Sequence, residues 1–212
     1  MEREIRHIED AELRTVTADD GSTHIVGYAA KYGVLSHQLR SKFGPFKEII
    51  KPGAFDNALK RSDNIVASVE HNLQTKLGRM PKTLKVWSDD KGLAFDTVVP
   101  NTTVGKDALE EIRSEMLNGC SFGFTKNVKD TWAKDKATGM DIRTINEFDK
   151  IIDVTLTGSP AYPETELSIR SLDEFHNEID KVAKTETKVE PPNDIQKKKI
   201  QLMELNSSKP KK

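Results

Sequence analysis

Apolar positions change their period along this chain, and the changes divide it into elements. Over 102–117 they recur at Val104, Ala108, Leu109, Ile112, Met116 and Leu117, the spacing of one helical face. Thr102 or Thr103 suits the start of this helix, and Gly119 suits the left-handed residue that ends one. From Cys120 the period is two. Cys120, Phe122 and Phe124 point one way, and Ser121, Gly123 and Thr125 the other. One face of this predicted strand is bulky and apolar. The other offers a hydroxyl beside a residue with no side chain, a way to present a serine on a rigid element.

The same reading places the other elements. Residues 3–17 and 23–30 read as strands around the turn-rich Asp19-Asp20-Gly21-Ser22. A loop is expected over 34–44, a short strand over 46–50, and a break at Lys51-Pro52-Gly53. A short helix over 54–60 puts Phe55 and Leu59 on one face. Residues 65–70 alternate and are rich in β-branched side chains, predicting a strand that delivers His71 and Asn72 at its end. An uninterrupted strand would point His71 inward with Ile65, Ala67 and Val69; a bulge or strand end at Glu70 relieves this. Leu77-Gly78-Arg79-Met80 reads as a turn, and 83–87 with 93–99 as a hairpin. Strands follow over 142–148 and 151–157, the second with Ile152, Val154 and Leu156 on one face and Asp153, Thr155 and Thr157 on the other.

Beyond residue 170 the pattern changes. Ser171-Leu172-Asp173-Glu174 is a capping box, and Leu172, Phe175, Ile179 and Val182 make a narrow stripe. The expected organisation is a domain over 1–170, an amphipathic helix over 171–184 and a charged, disordered tail over 185–212. Many short strands with few helices predict a mainly β (α+β) fold, a closed sheet or β-barrel with peripheral helices.

Composition narrows the function classes. The chain is 35% hydrophobic and 32% charged, which agrees with an unfolded portion. A net charge of -1 argues against an electrostatic nucleic-acid binder. One cysteine, Cys120, rules out an intrachain disulfide and favours an intracellular setting. The charged opening MEREIRHIED predicts no secretory signal, and no apolar run is long enough to span a bilayer. The five histidines show no metal-ligand spacing, and no phosphate-cradling glycine loop is present. Trp132 among lysines is a weak nucleic-acid signal.

Three polar residues stand out. Ser121 lies between large apolar neighbours, His71 ends a strand, and Asp153 faces away from an apolar stripe. A nucleophilic hydrolase needs this set: a hydroxyl, an imidazole to take its proton, and an acid to orient the imidazole. Residues 158–161 are candidates for the oxyanion donors. Spacing alone leaves structural roles open for all three. It also leaves Cys120 as a rival nucleophile, although its parity with Phe122 and Phe124 places it in the core as an inert apolar group.

Several segments, in order, resemble one family. They are Gly27-Tyr28-Ala29-Ala30, Ile50-Lys51-Pro52-Gly53-Ala54-Phe55, Glu70-His71-Asn72, Leu77-Gly78-Arg79, Gly119-Cys120-Ser121-Phe122-Gly123-Phe124, Arg143-Thr144-Ile145, Asp153-Val154-Thr155-Leu156 and Pro160-Ala161-Tyr162-Pro163. The chain over 24–170 thereby resembles the prohead (procapsid maturation) proteases of tailed bacteriophages, distant relatives of herpesvirus assembly proteases. The resemblance implies a barrel of about seven strands and a serine endopeptidase without a cofactor. His71 matches the family's general base, although this chain reads Glu-His-Asn where the family pattern is Asn-His-Asp-like. Ser121 matches the nucleophile of a Ser-Phe-Gly-Phe motif. Asp153 is the implied third member, with Glu147 the second choice. The implied setting is the host cytoplasm, inside the immature shell. The implied partners are a scaffold protein or the scaffolding part of the capsid protein as substrate, the chain itself, and a second copy as a homodimer. A non-catalytic capsid-assembly role on the same fold is the alternative.

Overall fold

The structure, a computed structural model, describes residues 3–8, 11–41 and 43–158. In chain order these residues form β1 (Arg3–Ile8), β2 (Arg14–Thr17), β3 (Thr23–Lys31), β4 (Leu39–Ser41), β5 (Gly44–Ile50), α1 (Asp56–Arg61), β6 (Val66–Val69) and β7 (Asn72–Arg79). Then come β8 (Leu84–Ser88), β9 (Gly92–Val98), α2 (Thr103–Arg113), β10 (Gly119–Thr125), β11 (Val128–Lys134), β12 (Asp141–Phe148) and β13 (Ile151–Thr157). The strands pair as three sheets, in the orders β1-β10-β13-β6-β7, β11-β12-β5-β4 and β2-β3-β9-β8. The fold is mainly β with few helices, as the periodicity predicts. Among the described residues no pairing ladder closes a sheet into a barrel. The helix expected over 171–184 and the tail over 185–212 lie outside the described residues.

Burial follows the alternation. Cys120, Phe122 and Phe124 of β10 are all fully buried. Phe122 meets Phe55, which caps α1, and both Phe122 and Phe124 meet Phe148, which ends β12. The rings of Phe55 and Phe148 stack with centroids 4.6 Å apart, and Phe122 and Phe124 meet Phe148 edge-on at 5.5 and 4.8 Å. This aromatic cluster, at favoured offset and edge geometries, joins the first sheet to the second.

Four local readings are corrected. The strand expected over 3–17 is two, β1 and β2, separated by a stretch in which Glu12 has φ 48°. The loop over 34–44 contains β4 and a bridge from Leu35 to Ile49. Residues 77–79 are not a turn but the end of β7. There Gly78 is needed for close approach, because a Cβ would lie 2.0 Å from Thr97 Oγ1 on β9. Helix α2 stops at Arg113, and Glu115 at φ 59°, not Gly119, supplies the left-handed residue. Gly119 opens β10, where a Cβ would lie 2.7 Å from His7 Cε1. The N-cap is Thr102, whose Oγ1 accepts from the Gly105 N–H at 3.2 Å.

A buried ionic network ties β1 to the second sheet. Arg6 donates to both carboxylate oxygens of Glu48, at 2.7 and 2.8 Å, and to Glu4 at 2.8 Å. Arg143 donates to Glu48 at 3.1 Å, to Glu4 at 3.3 Å and to Asp130 at 2.5 Å. Its guanidinium lies over Trp132, which also packs on Phe46, so Trp132 serves the fold and is not a lone exposed ring. Burial pushes the Glu48 carboxyl up, but the charges and hydrogen bonds of Arg6 and Arg143 outweigh it and hold it below the usual range.

Removing one member of such a network strands the others. Arg143→Ala is expected to lower the unfolding free energy by about 3–5 kcal/mol, read from urea midpoints. Because the Glu48 value is lowered in the folded state, its contribution is complete above the usual carboxylate range. It is lost as pH falls through the lowered value. An unchanged midpoint in Arg143→Ala would show that the network is energetically idle.

Candidate active site

Ser121 sits in the middle of β10, opposite His7 of β1 and Thr155 of β13. Its hydroxyl lies on the face away from the aromatic cluster, yet the residue is only 1% exposed. Oγ is 2.6 Å from His71 Nε2 and 2.9 Å from the Arg6 carbonyl. The same cross-strand row continues through Thr155, whose Oγ1 is 2.9 Å from Ser68 Oγ of β6. A row of small hydroxyl residues leaves room above the strands for an imidazole.

His71 comes from the turn between β6 and β7. Val69 pairs with Asn72, so Glu70 and His71 are the two central residues of a tight hairpin. Their φ angles are 50° and 53°. A type I′ two-residue hairpin wants positive φ at both positions, which Asn and Gly supply most readily. Here neither is present. The conformation is held from outside: the Glu70 N–H donates to the Leu156 carbonyl at 3.0 Å, and its Oε1 accepts from the Gly158 N–H at 2.8 Å. Thr75 Oγ1 donates back to Val69 and Asn72 at 2.9 and 3.0 Å. The turn removes His71 from strand parity, which resolves the conflict in the alternation.

Asp153 of β13 is completely buried. Its Oδ1 accepts from the Gly123 N–H at 2.9 Å and lies 3.1 Å from His71 Nδ1. Its Oδ2 accepts from the Arg3 guanidinium. Gly123 permits this crowding, since a Cβ there would lie 2.8 Å from Asp153 Oδ1. The structure thus brings His71, Ser121 and Asp153 into one hydrogen-bonded chain. Glu147 is elsewhere, on β12, paired with Arg61 at 3.2 Å and Lys129 at 2.9 Å.

Other candidates separate from this cluster. The Gly158 N–H is already donated to Glu70, and residues 159–161 lie outside the described residues. Cys120 points into the core, where burial pushes its thiol far up and leaves it protonated. Among the described residues no group of histidine, cysteine and carboxylate side chains could hold a metal ion. No helix among them is long and apolar enough to cross a membrane. Sequence reasoning missed Arg3, which nothing marks out in an ordinary charged strand.

The comparisons with known proteins bear on what this cluster serves. A family model described as caudovirus prohead serine protease matches residues 9–178. The chain belongs to this family. No curated protein matches it. Among solved structures it is similar to the bacteriophage T4 capsid assembly protease, gp21, with 14% identity and a TM-score of 0.46, covering 76% of this chain and 100% of that one. For a member of a serine protease family the first test concerns the rival nucleophile. Iodoacetamide is expected to leave native Cys120 unmodified at mildly alkaline pH and to modify it in urea, by intact mass. Rapid labelling of the folded protein would return Cys120 to consideration.

Proposed function

We propose that the chain is a serine endopeptidase of phage procapsid maturation, with Ser121 as nucleophile, His71 as general base and Asp153 as the orienting acid. The observation that carries this reading is the continuous chain from Ser121 Oγ through both ring nitrogens of His71 to a fully buried carboxylate. Ser121 attacks the scissile carbonyl as His71 Nε2 takes its proton. Asp153 accepts from Nδ1–H, fixes the ring and stabilises the imidazolium that forms. The imidazolium then protonates the leaving amine, and water releases the acyl-enzyme. Backbone N–H groups hold the oxyanion on this reading.

The substrates on this reading are the scaffold protein or scaffolding segments of the capsid protein, and the chain itself, within the procapsid. A cavity of about 270 Å³ lies along β1, lined in part by His7, Ile8, Val34, Leu35, Ile50 and Phe122. Arg6, Lys31, Ser36, His37 and Glu48 complete its lining, and Phe122 places it on the face of β10 opposite the Ser121 hydroxyl. The same reading takes about seven of these strands as the wall of the closed barrel that the resemblance implies.

Co-expression with a candidate capsid or scaffold protein tests the proposal. Wild type is expected to trim the partner or itself, while Ser121→Ala and His71→Ala do not, by gel and intact mass. Asp153→Asn is expected to slow trimming by about 10⁴-fold, since it imposes the wrong ring tautomer. Glu147→Gln is expected to keep the wild-type rate. Equal processing by all variants would leave a non-catalytic assembly role in its place.

A further inference from the structure

A neutral imidazole has one ring proton, and the contacts around His71 do not all fit one placement of it. Catalysis needs the proton on Nδ1, donated to Asp153, with Nε2 bare to accept from Ser121. Yet Arg3 Nη2 lies 2.5 Å from Nδ1, closer than Asp153 Oδ1 at 3.1 Å. Arginine only donates, so Nδ1 must accept from it. The proton is then on Nε2 and is donated to Ser121 Oγ at 2.6 Å. Ser121 in turn donates its own proton to the Arg6 carbonyl at 2.9 Å. In this arrangement the Nε2–H and the serine O–H each have an acceptor, and Nε2 has no free lone pair to take the serine proton. The guanidinium also pairs with Asp153, the charge that would otherwise stabilise an imidazolium.

We propose that Arg3 is a latch: docked between His71 and Asp153, it holds His71 in the Nε2–H tautomer and keeps Ser121 inactive until it withdraws. The proposal rests on the reading of Ser121 and His71 as nucleophile and base. Arg3 is a positioning residue in it, acting through His71. The seat is made for release. Arg3 is the first residue of β1, its side chain is 27% exposed, and its buried Nε has no hydrogen-bond partner among the described residues. Arg6 on the same strand is 6% exposed and fully engaged by Glu4 and Glu48. The strand can therefore stay docked at Arg6 while its first side chain leaves. Departure frees Nδ1 for a proton and restores the bare charge of Asp153 to it in one movement.

Two readouts on the full-length chain test this. The first is the rate at which a fluorophosphonate adds to Ser121, followed by intact mass with Ser121→Ala as the blank. The second is the ¹⁵N shift pair of the His71 ring, identified by its loss in His71→Gln. Arg3→Met, which removes the donors at similar length, is expected to label about tenfold faster than wild type, the effect of freeing one competing hydrogen bond. Its His71 is expected to change from the Nε2–H to the Nδ1–H signature. Arg3→Lys, which keeps a cation and donors, is expected to stay near the wild-type rate and tautomer. Labelling of Arg3→Met at or below the wild-type rate, or an Nδ1–H signature in wild type, overturns the latch. Absence of labelling in every variant overturns the nucleophile reading instead, and with it the latch as a control on catalysis.

Discussion

Two consecutive non-glycine residues at positive φ are unfavourable, and the arrangement around Ser121 depends on that cost being offset at Glu70 and His71. A longer or more relaxed connection between β6 and β7 would leave the imidazole without a fixed place above β10. The offset comes from β13 and the residue after it: Leu156 and Gly158 hold Glu70 from both its backbone and its side chain. Since β13 also carries Asp153, the strand that supplies the acid also braces the turn that supplies the imidazole. β13 lies between β10 and β6 in the sheet, so the three groups share one strand as their common reference.

The other support is β1, which has two faces with different duties. Glu4, Arg6 and Ile8 stand opposite Phe124, Phe122 and Cys120 on the core side, while Arg3, Ile5 and His7 stand opposite Thr125, Gly123 and Ser121 on the site side. Burying Glu4 and Arg6 would be costly for either alone. It is tolerated because Glu48 and Arg143 complete the network with bidentate and shared hydrogen bonds. This fixes the register of β1 on β10, and with it the Arg6 carbonyl beside Ser121 Oγ.

Much of this was legible in the chain. The alternation at 120–125 gave the correct faces of β10, because strand parity there is uninterrupted and both faces are packed. The same logic put Asp153 on the face of its strand away from Ile152, Val154 and Leu156, and the pairing of β13 with β10 turns that face toward Ser121. What parity could not give was His71, since the left-handed turn that frees it carries no Asn-Gly signature and is stabilised from β13, far away in sequence. Gly78 and Gly119 were read as a turn and a helix stop. Their glycines answer instead to cross-strand crowding by Thr97 and His7, which no local window contains. The charged residues of β1 look like any solvent-facing pattern until Glu48 and Arg143 arrive from other strands.

Arg3 and Arg6 show how one residue type on one strand can carry opposite meanings. Each guanidinium nitrogen of Arg6 donates to a buried carboxylate or a carbonyl, so displacing it leaves charges unpaired in the core. Arg3 faces a single carboxylate that already accepts from the Gly123 N–H and has His71 Nδ1 within reach. If Arg3 leaves, Asp153 keeps the Gly123 N–H and gains the Nδ1–H of His71 in the other tautomer. The buried aspartate thus has two alternative partners, the Arg3 guanidinium and the His71 ring, and only the second lies on the path of the serine proton.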